Sequence, residues 1–303
     1  STTANISAKA LTATASSSNK VYDGNNTATT TLTLSGLIGT ETLGQTVGST
    51  FNNKNVGTGK TVTVNSITLA DGSNGGLAAN YSISAGQTTT ANVTAKALTV
   101  SGITASNKIY DGNTVATLNT GSVSYTGLVG GDVFNGTYTG TFSDKNVGTN
   151  KTVTITPSYT GADVSNYSIT NHANVTANIT AKALTVSGIT ASNKTYDGNA
   201  VATLNTSSVL YSGLVAGDTF TGSYTGAFAN ANAGSGKTVT ISPTYSGADV
   251  TNYSITNHPT VTADISKKAL TATASSSNKV YDGNNTATTT LTLSGLIGTE
   301  TLG

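Results

Sequence analysis

Thr152-Val153-Thr154-Ile155-Thr156 alternates β-branched polar and β-branched apolar residues. Successive side chains of a strand point to opposite faces, so this stretch reads as a strand with Val153 and Ile155 turned inward. Thr is stiff at χ1 and suits the solvent face of a pleated sheet. Working outward, the same pattern recurs, and no stretch keeps a helical period. The good helix formers Glu, Gln, Arg and Met are almost missing, which places the chain in the all-β class. Low charge with much Thr, Ser and Gly could also describe a disordered chain. The apolar residues, 36% of the total and set in alternation, decide for a folded one.

Outward again, the strand belongs to a segment that returns. Phe51, Phe142 and Phe228 each open a Phe-x-x-x-Asn-(Val/Ala)-Gly-(Thr/Ser)-x-Lys-Thr-Val run. Tyr-Asp-Gly occurs as Tyr22-Asp23-Gly24, Tyr110-Asp111-Gly112, Tyr196-Asp197-Gly198 and Tyr281-Asp282-Gly283. Asn-Tyr-Ser-Ile returns at Tyr81, Tyr167 and Tyr253, and Lys-Ala-Leu-Thr at Lys9, Lys96, Lys182 and Lys268. The leucines Leu11, Leu98, Leu184 and Leu270 stand 87, 86 and 86 residues apart. The organisation expected is a closing strand of a preceding repeat at 1–10, repeats at 11–97, 98–183 and 184–269, and the start of a fourth at 270–303. Residues 269–303 copy residues 10–44 without a difference, so the first and last repeats are one type and the middle two another. A larger period of 259 residues, from Tyr22 to Tyr281, is expected to continue, with Gln-Thr-Val-Gly as at Gln45 following Gly303.

Four ordered signatures carry a resemblance to the YDG domain, a module of filamentous-haemagglutinin-like surface proteins of Gram-negative bacteria. They are Asn107-Lys108-x-Tyr110-Asp111-Gly112-Asn113, Asn146-Val147-Gly148-x-x-Lys151-Thr152-Val153, Asn166-Tyr167, and Thr176-Ala177-x-Ile179-Thr180-Ala181-Lys182-Ala183-Leu184. The resemblance covers every repeat and implies a secreted all-β stalk or adhesin segment on the bacterial cell surface, without catalytic residues. Glu41 stands in the first repeat where the others have Asp132 and Asp218.

Six to eight short strands per repeat fit tandem small β-sandwich-like domains of about 86 residues, joined end to end into a rod. A β-solenoid is the alternative, but it demands a subperiod of about 20–30 residues that the repeats lack. The run from Ala177 to Val186 alternates without Gly or Pro, so one strand is expected to leave a repeat and begin the next. Asp-Gly-Asn turns need positive φ at the glycine.

Little in the composition signals chemistry. The chain has no Cys, a net charge of +1 and 9% charged residues. Thiol chemistry is excluded, and the concentrated basic footprint of a nucleic-acid binder is missing. No apolar run is long enough to span a membrane. His172 and His258 stand alone and read as turn residues, so no enzyme, metal or cofactor is expected. Gly57-Thr58-Gly59-Lys60-Thr61 resembles the end of a phosphate loop but has Lys54 at the first-glycine position, which favours a hairpin turn. The Asp-Gly-Asn turns offer one carboxylate each, short of a calcium set unless Asp132 or Asp218 joins them. Tyr110 and Tyr167 read as core, while Tyr125, Tyr138, Tyr211 and Tyr224 are the rings more open to a ligand. The partners expected are neighbouring copies of the repeat, with lateral association into fibres favoured by the weak charge.

Overall fold

The computed structural model describes residues 1–255 and 260–302; His258 lies outside them. The chain is all-β, with each of three tandem repeats forming a nearly closed, barrel-like sheet. It divides into two compact units, and the division runs through the second repeat. The first unit holds 1–106, 115–143 and 152–177; the second holds 107–114, 144–151 and 178–303.

In the first unit, repeat 1 is complete. The hairpin Leu43–Phe51 and Gly57–Asp71 forms the centre of a five-stranded sheet. Thr88–Thr94 pairs antiparallel to the second arm, and Lys20–Val21 lies parallel outside it. Thr27–Ala28 closes the other edge, and Thr12–Ser17 pairs with Thr30–Ser35 beside the sheet. Alternation does what the sequence implies: Val62 and Val64 are buried while Thr61 and Asn65 are exposed. In the second unit, repeat 3 copies the plan. Thr221–Phe228 and Gly234–Ser246 make the hairpin, flanked by Val261–Ser266, Lys194–Thr195 and Val201–Ala202. Among the described residues of these two repeats, no subperiod coil appears.

The junction strand departs from the expectation of one continuous element. Thr88–Thr94 stays in the sheet of repeat 1, whereas Lys96–Ser101 joins repeat 2 between Tyr167–Thr170 and Ser124–Thr126. The physical cause is a slip in the alternation. Ala91 and Val93 are buried at odd positions, Leu98 and Val100 at even ones. A one-residue slip turns every following side chain to the other face, so the strand must break, and it does so at Ala95. The next junction, Val175–Thr180 followed by Lys182–Ser187, breaks at Ala181.

Repeats 1 and 2 share part of their core. Tyr22, Phe51, Val62 and Val93 of repeat 1 form one buried cluster with Leu98, Phe134 and Tyr167 of repeat 2. Each small domain buries proportionally little surface, and the shared cluster supplies what one repeat lacks.

Candidate functional site: the junction between consecutive repeats

The Asp-Gly-Asn turn has the expected chemistry. Gly24, Gly112 and Gly198 have φ of 84°, 81° and 80°, open to glycine and strained for other residues. Asp23 accepts a hydrogen bond from the Asn25 amide at 3.1 Å and pairs with Lys20 at 2.8 Å. The turn thereby presents the preceding tyrosine outward, past the end of its own repeat.

Tyr110 and Tyr167 are buried, as expected of core rings, but part of what buries the signature tyrosine belongs to the following repeat. Tyr22 is 1% exposed, packed in one cluster with Phe51, Val62 and Val93 of its own repeat and Leu98, Phe134 and Tyr167 of the next. Its ring meets Tyr167 edge-on at 5.6 Å, and its hydroxyl donates to the Asp132 carboxylate at 2.8 Å. Tyr167 also donates to Asp132, at 2.5 Å, and accepts the Val129 amide at 2.9 Å. Lys54, on the turn after Phe51, bridges Asp132 at 3.1 Å and Asp163 at 2.9 Å, and stands over the Tyr22 ring. Asn166, 1% exposed, accepts the Val56 amide at 2.9 Å and donates to the Asn55 side chain at 3.3 Å.

The second unit rebuilds this clasp with different residues of the same types. Tyr110 donates to Asp218 at 2.9 Å and meets Tyr253 at 5.6 Å. Lys145 bridges Asp218 at 3.2 Å and Asp249 at 2.9 Å, and Asn252 accepts the Val147 amide at 2.9 Å. One tail (Tyr, Lys, Asn-Val) therefore fits one head (two Asp, Asn-Tyr) in two separate places. Between repeat 3 and the fragment that follows, Tyr196 donates to Glu300.

Electrostatics follow from burial and pairing. Burial raises the Asp132 carboxyl, but hydrogen bonds from Tyr167, Tyr22 and Lys54 outweigh it and hold the group below its ordinary 3.8. Lys54 chiefly, with the Val133 amide, holds Asp163 low. Burial and the Asp132 hydrogen bond push Tyr167 up to about 12, and Tyr253 shifts likewise. The arrangement binds and locks; it holds no nucleophile–base pair.

The remaining candidates are occupied locally. Lys60 of the phosphate-loop look-alike binds Asn53 and the Asn55 carbonyl, and Gly59, with φ of 59°, turns the chain. His172 is half-buried and contacts the neighbouring Ala173 carbonyl. Asp132, the carboxylate considered for calcium, serves Tyr22, Tyr167 and Lys54 instead. Tyr125 and Tyr138 share a hydroxyl contact at 3.1 Å, and Tyr138 packs edge-on against Tyr159.

Reading the sequence missed Lys54, Lys145, Asp163, Asp249, Asn166 and Asn252 as junction residues. A signal existed: the lysine is present in repeats 1 and 2 with Ala231 in the third, and the aspartate in repeats 2 and 3 with Leu77 in the first. The lysine is missing from the repeat that precedes a first-type repeat and the aspartate from that first type, as expected of partners across a junction.

The YDG domain family matches residues 7–91, 94–177 and 180–263. The chain belongs to the YDG domain family, as three tandem copies. No curated protein matches it.

Proposed function

We propose that this chain is a stalk or fibre segment of a large secreted bacterial surface adhesin or extracellular filament, contributing length and stiffness. The observation that carries this reading is how each complete repeat ties down its two ends. In repeat 3 the leading strand Lys182–Ser187 pairs parallel with Tyr253–Ile255, and the closing strand Val261–Ser266 pairs parallel with Lys194–Thr195. Tension along the chain drags parallel partners past one another, so the bonds of each ladder are loaded together in shear rather than one after another. The clasps add cross-links where linkers would otherwise yield. No helix among the described residues is long and apolar enough to cross a membrane.

Force spectroscopy on the full chain tests this. Stretching should give three steps, each lengthening the chain by about 250–300 Å, the contour of one repeat. Featureless extension at low force would overturn it. Imaging of the same material should show rods, and glycan-array binding separates the stalk from a repeated adhesive module.

A further inference from the structure

The two complete clasps carry a lysine between two carboxylates, and the third junction does not. Ala231 replaces the lysine on the tail of repeat 3, and the head it meets offers Glu300. In the same head type, Leu77 occupies the position before the short 3-10 turn at Ala78–Asn80. Asp163 and Asp249 occupy that position in the other two heads, before Val164–Asn166 and Val250–Asn252. The lysine-free tail of repeat 3 is thus followed by a repeat of the type whose head, seen whole in repeat 1, lacks the second carboxylate.

We infer that this pair of positions is a matching device that selects which repeat can follow which: a lysine-bearing tail takes a two-aspartate head, and a lysine-free tail takes the glutamate–leucine head. The physics is asymmetric. The Asp132 and Asp163 side chains are 3% and 10% exposed, and each places an oxygen on the same ammonium nitrogen. Set against a tail with alanine, these two carboxylates, whose oxygens both reach one ammonium nitrogen at 3.1 and 2.9 Å, are left close together with no cation, in a site where charge is poorly solvated. A lysine-free tail is therefore turned away from either two-aspartate head. It is accepted by a head with one carboxylate, whose proton-donating partner is the tail tyrosine.

The duplicated sequence supplies an internal comparison. Ile38 of repeat 1 is 55% exposed, while its twin Ile297 is half-buried, with a branch 2.9 Å from where a Cβ on Gly198 would stand. Repeat 1 carries the same head type, with Ile38, Glu41 and Leu77, and the matching assigns it a lysine-free tail of the repeat-3 type. In a periodic chain, charge matching would keep near-identical repeats from docking out of order, a known hazard of such arrays.

The test is a rescue in the full chain, read locally by amide hydrogen exchange with mass spectrometry. Lys54→Ala should accelerate exchange in the peptides covering Tyr22 and Val129–Phe134 by about tenfold or more, since an uncompensated charge pair favours local opening. Adding Asp163→Asn leaves one carboxylate and should restore most of that protection, although it removes a second native group. Asp163→Asn alone should change exchange by less than about threefold, because Lys54 keeps Asp132. Lys54→Gln, with and without Asp163→Asn, repeats the comparison with a longer side chain should alanine unfold the repeat. Peptides of repeat 3 report whether the fold is intact. If the double variants exchange as fast as the lysine variants alone, the matching is not electrostatic and the inference fails. The readout is independent of whether the array serves as a stalk or an adhesive surface.

Discussion

At the scale of single residues, the clasp converts three side chains into a lock with defined limits. Tyr22→Phe keeps the ring and removes the hydroxyl that donates to Asp132. A hydrogen bond to a charged, buried acceptor contributes about 1.5–3 kcal/mol, so denaturant unfolding of the full chain should show a loss of that order in its least stable transition. Asp132→Ala should cost more, because it takes the acceptor from two tyrosine hydroxyls at once and leaves Lys54 with Asp163 alone. The titrations set two pH limits. Asp132 and Asp163 are held below 3.8, so their contribution is complete above that value and is lost as pH falls through the lowered folded values. Tyr167 and Tyr253 are raised from 10.0 to about 12, so theirs is complete below pH 10.0 and lost as pH rises toward 12. Melting temperature followed against pH should fall at both ends; a flat alkaline limb would show that the tyrosines are not clasped in solution.

At the scale of elements, the turn and the junction strand hold the clasp in register. Gly112 has φ of 81°, and a Cβ added there would stand 2.8 Å from Cγ1 of Val215 in the following repeat. Gly112→Val therefore combines backbone strain with a clash, and about 1–3 kcal/mol should be lost from the second unit by calorimetry. Gly112→Ala should be milder, and Val215→Ala should recover part of its cost by removing the clash while leaving the strain. The junction strand is a second target. Leu98 is 0% exposed and packs in the cluster that spans repeats 1 and 2. Leu98→Ala should cost about 2–5 kcal/mol, as large-to-small core changes do, and should speed amide exchange in both repeats. Protection lost only in repeat 2 would mean that the core is not shared in energy.

At the scale of the whole molecule, stability should depend on neighbours, as in a one-dimensional array where each repeat contributes its own term and each junction another. Loss of one clasp should lower the cooperativity of unfolding as well as the midpoint. Metal should not enter, because the carboxylates that sequence made available for calcium are committed to lysine and tyrosine. Melting of the full chain before and after chelation, then with added calcium, should coincide; a large upward shift with calcium would identify a bound ion through linkage.

Sequence by itself determined the strand class, the repeat period, the turn glycines and the family, because each is local and is written several times. The alternation around Val153 and Ile155 sets two faces, and Asp-Gly-Asn sets a turn, whatever lies elsewhere. In the second repeat the strand Gly148–Thr160 contains the alternating stretch 152–156 from which the strand class was legible. Only the tertiary structure decided what the signature tyrosine is for. A buried ring looks the same in sequence whether its own repeat or the next one covers it, and the covering groups lie over a hundred positions away, as Asp132 does from Tyr22. Lys54 read as a failed phosphate loop because its partners, Asp132 and Asp163, belong to another repeat. Burial and charge pairing depend on distance in space, and a chain that repeats itself hides which copy stands across the gap.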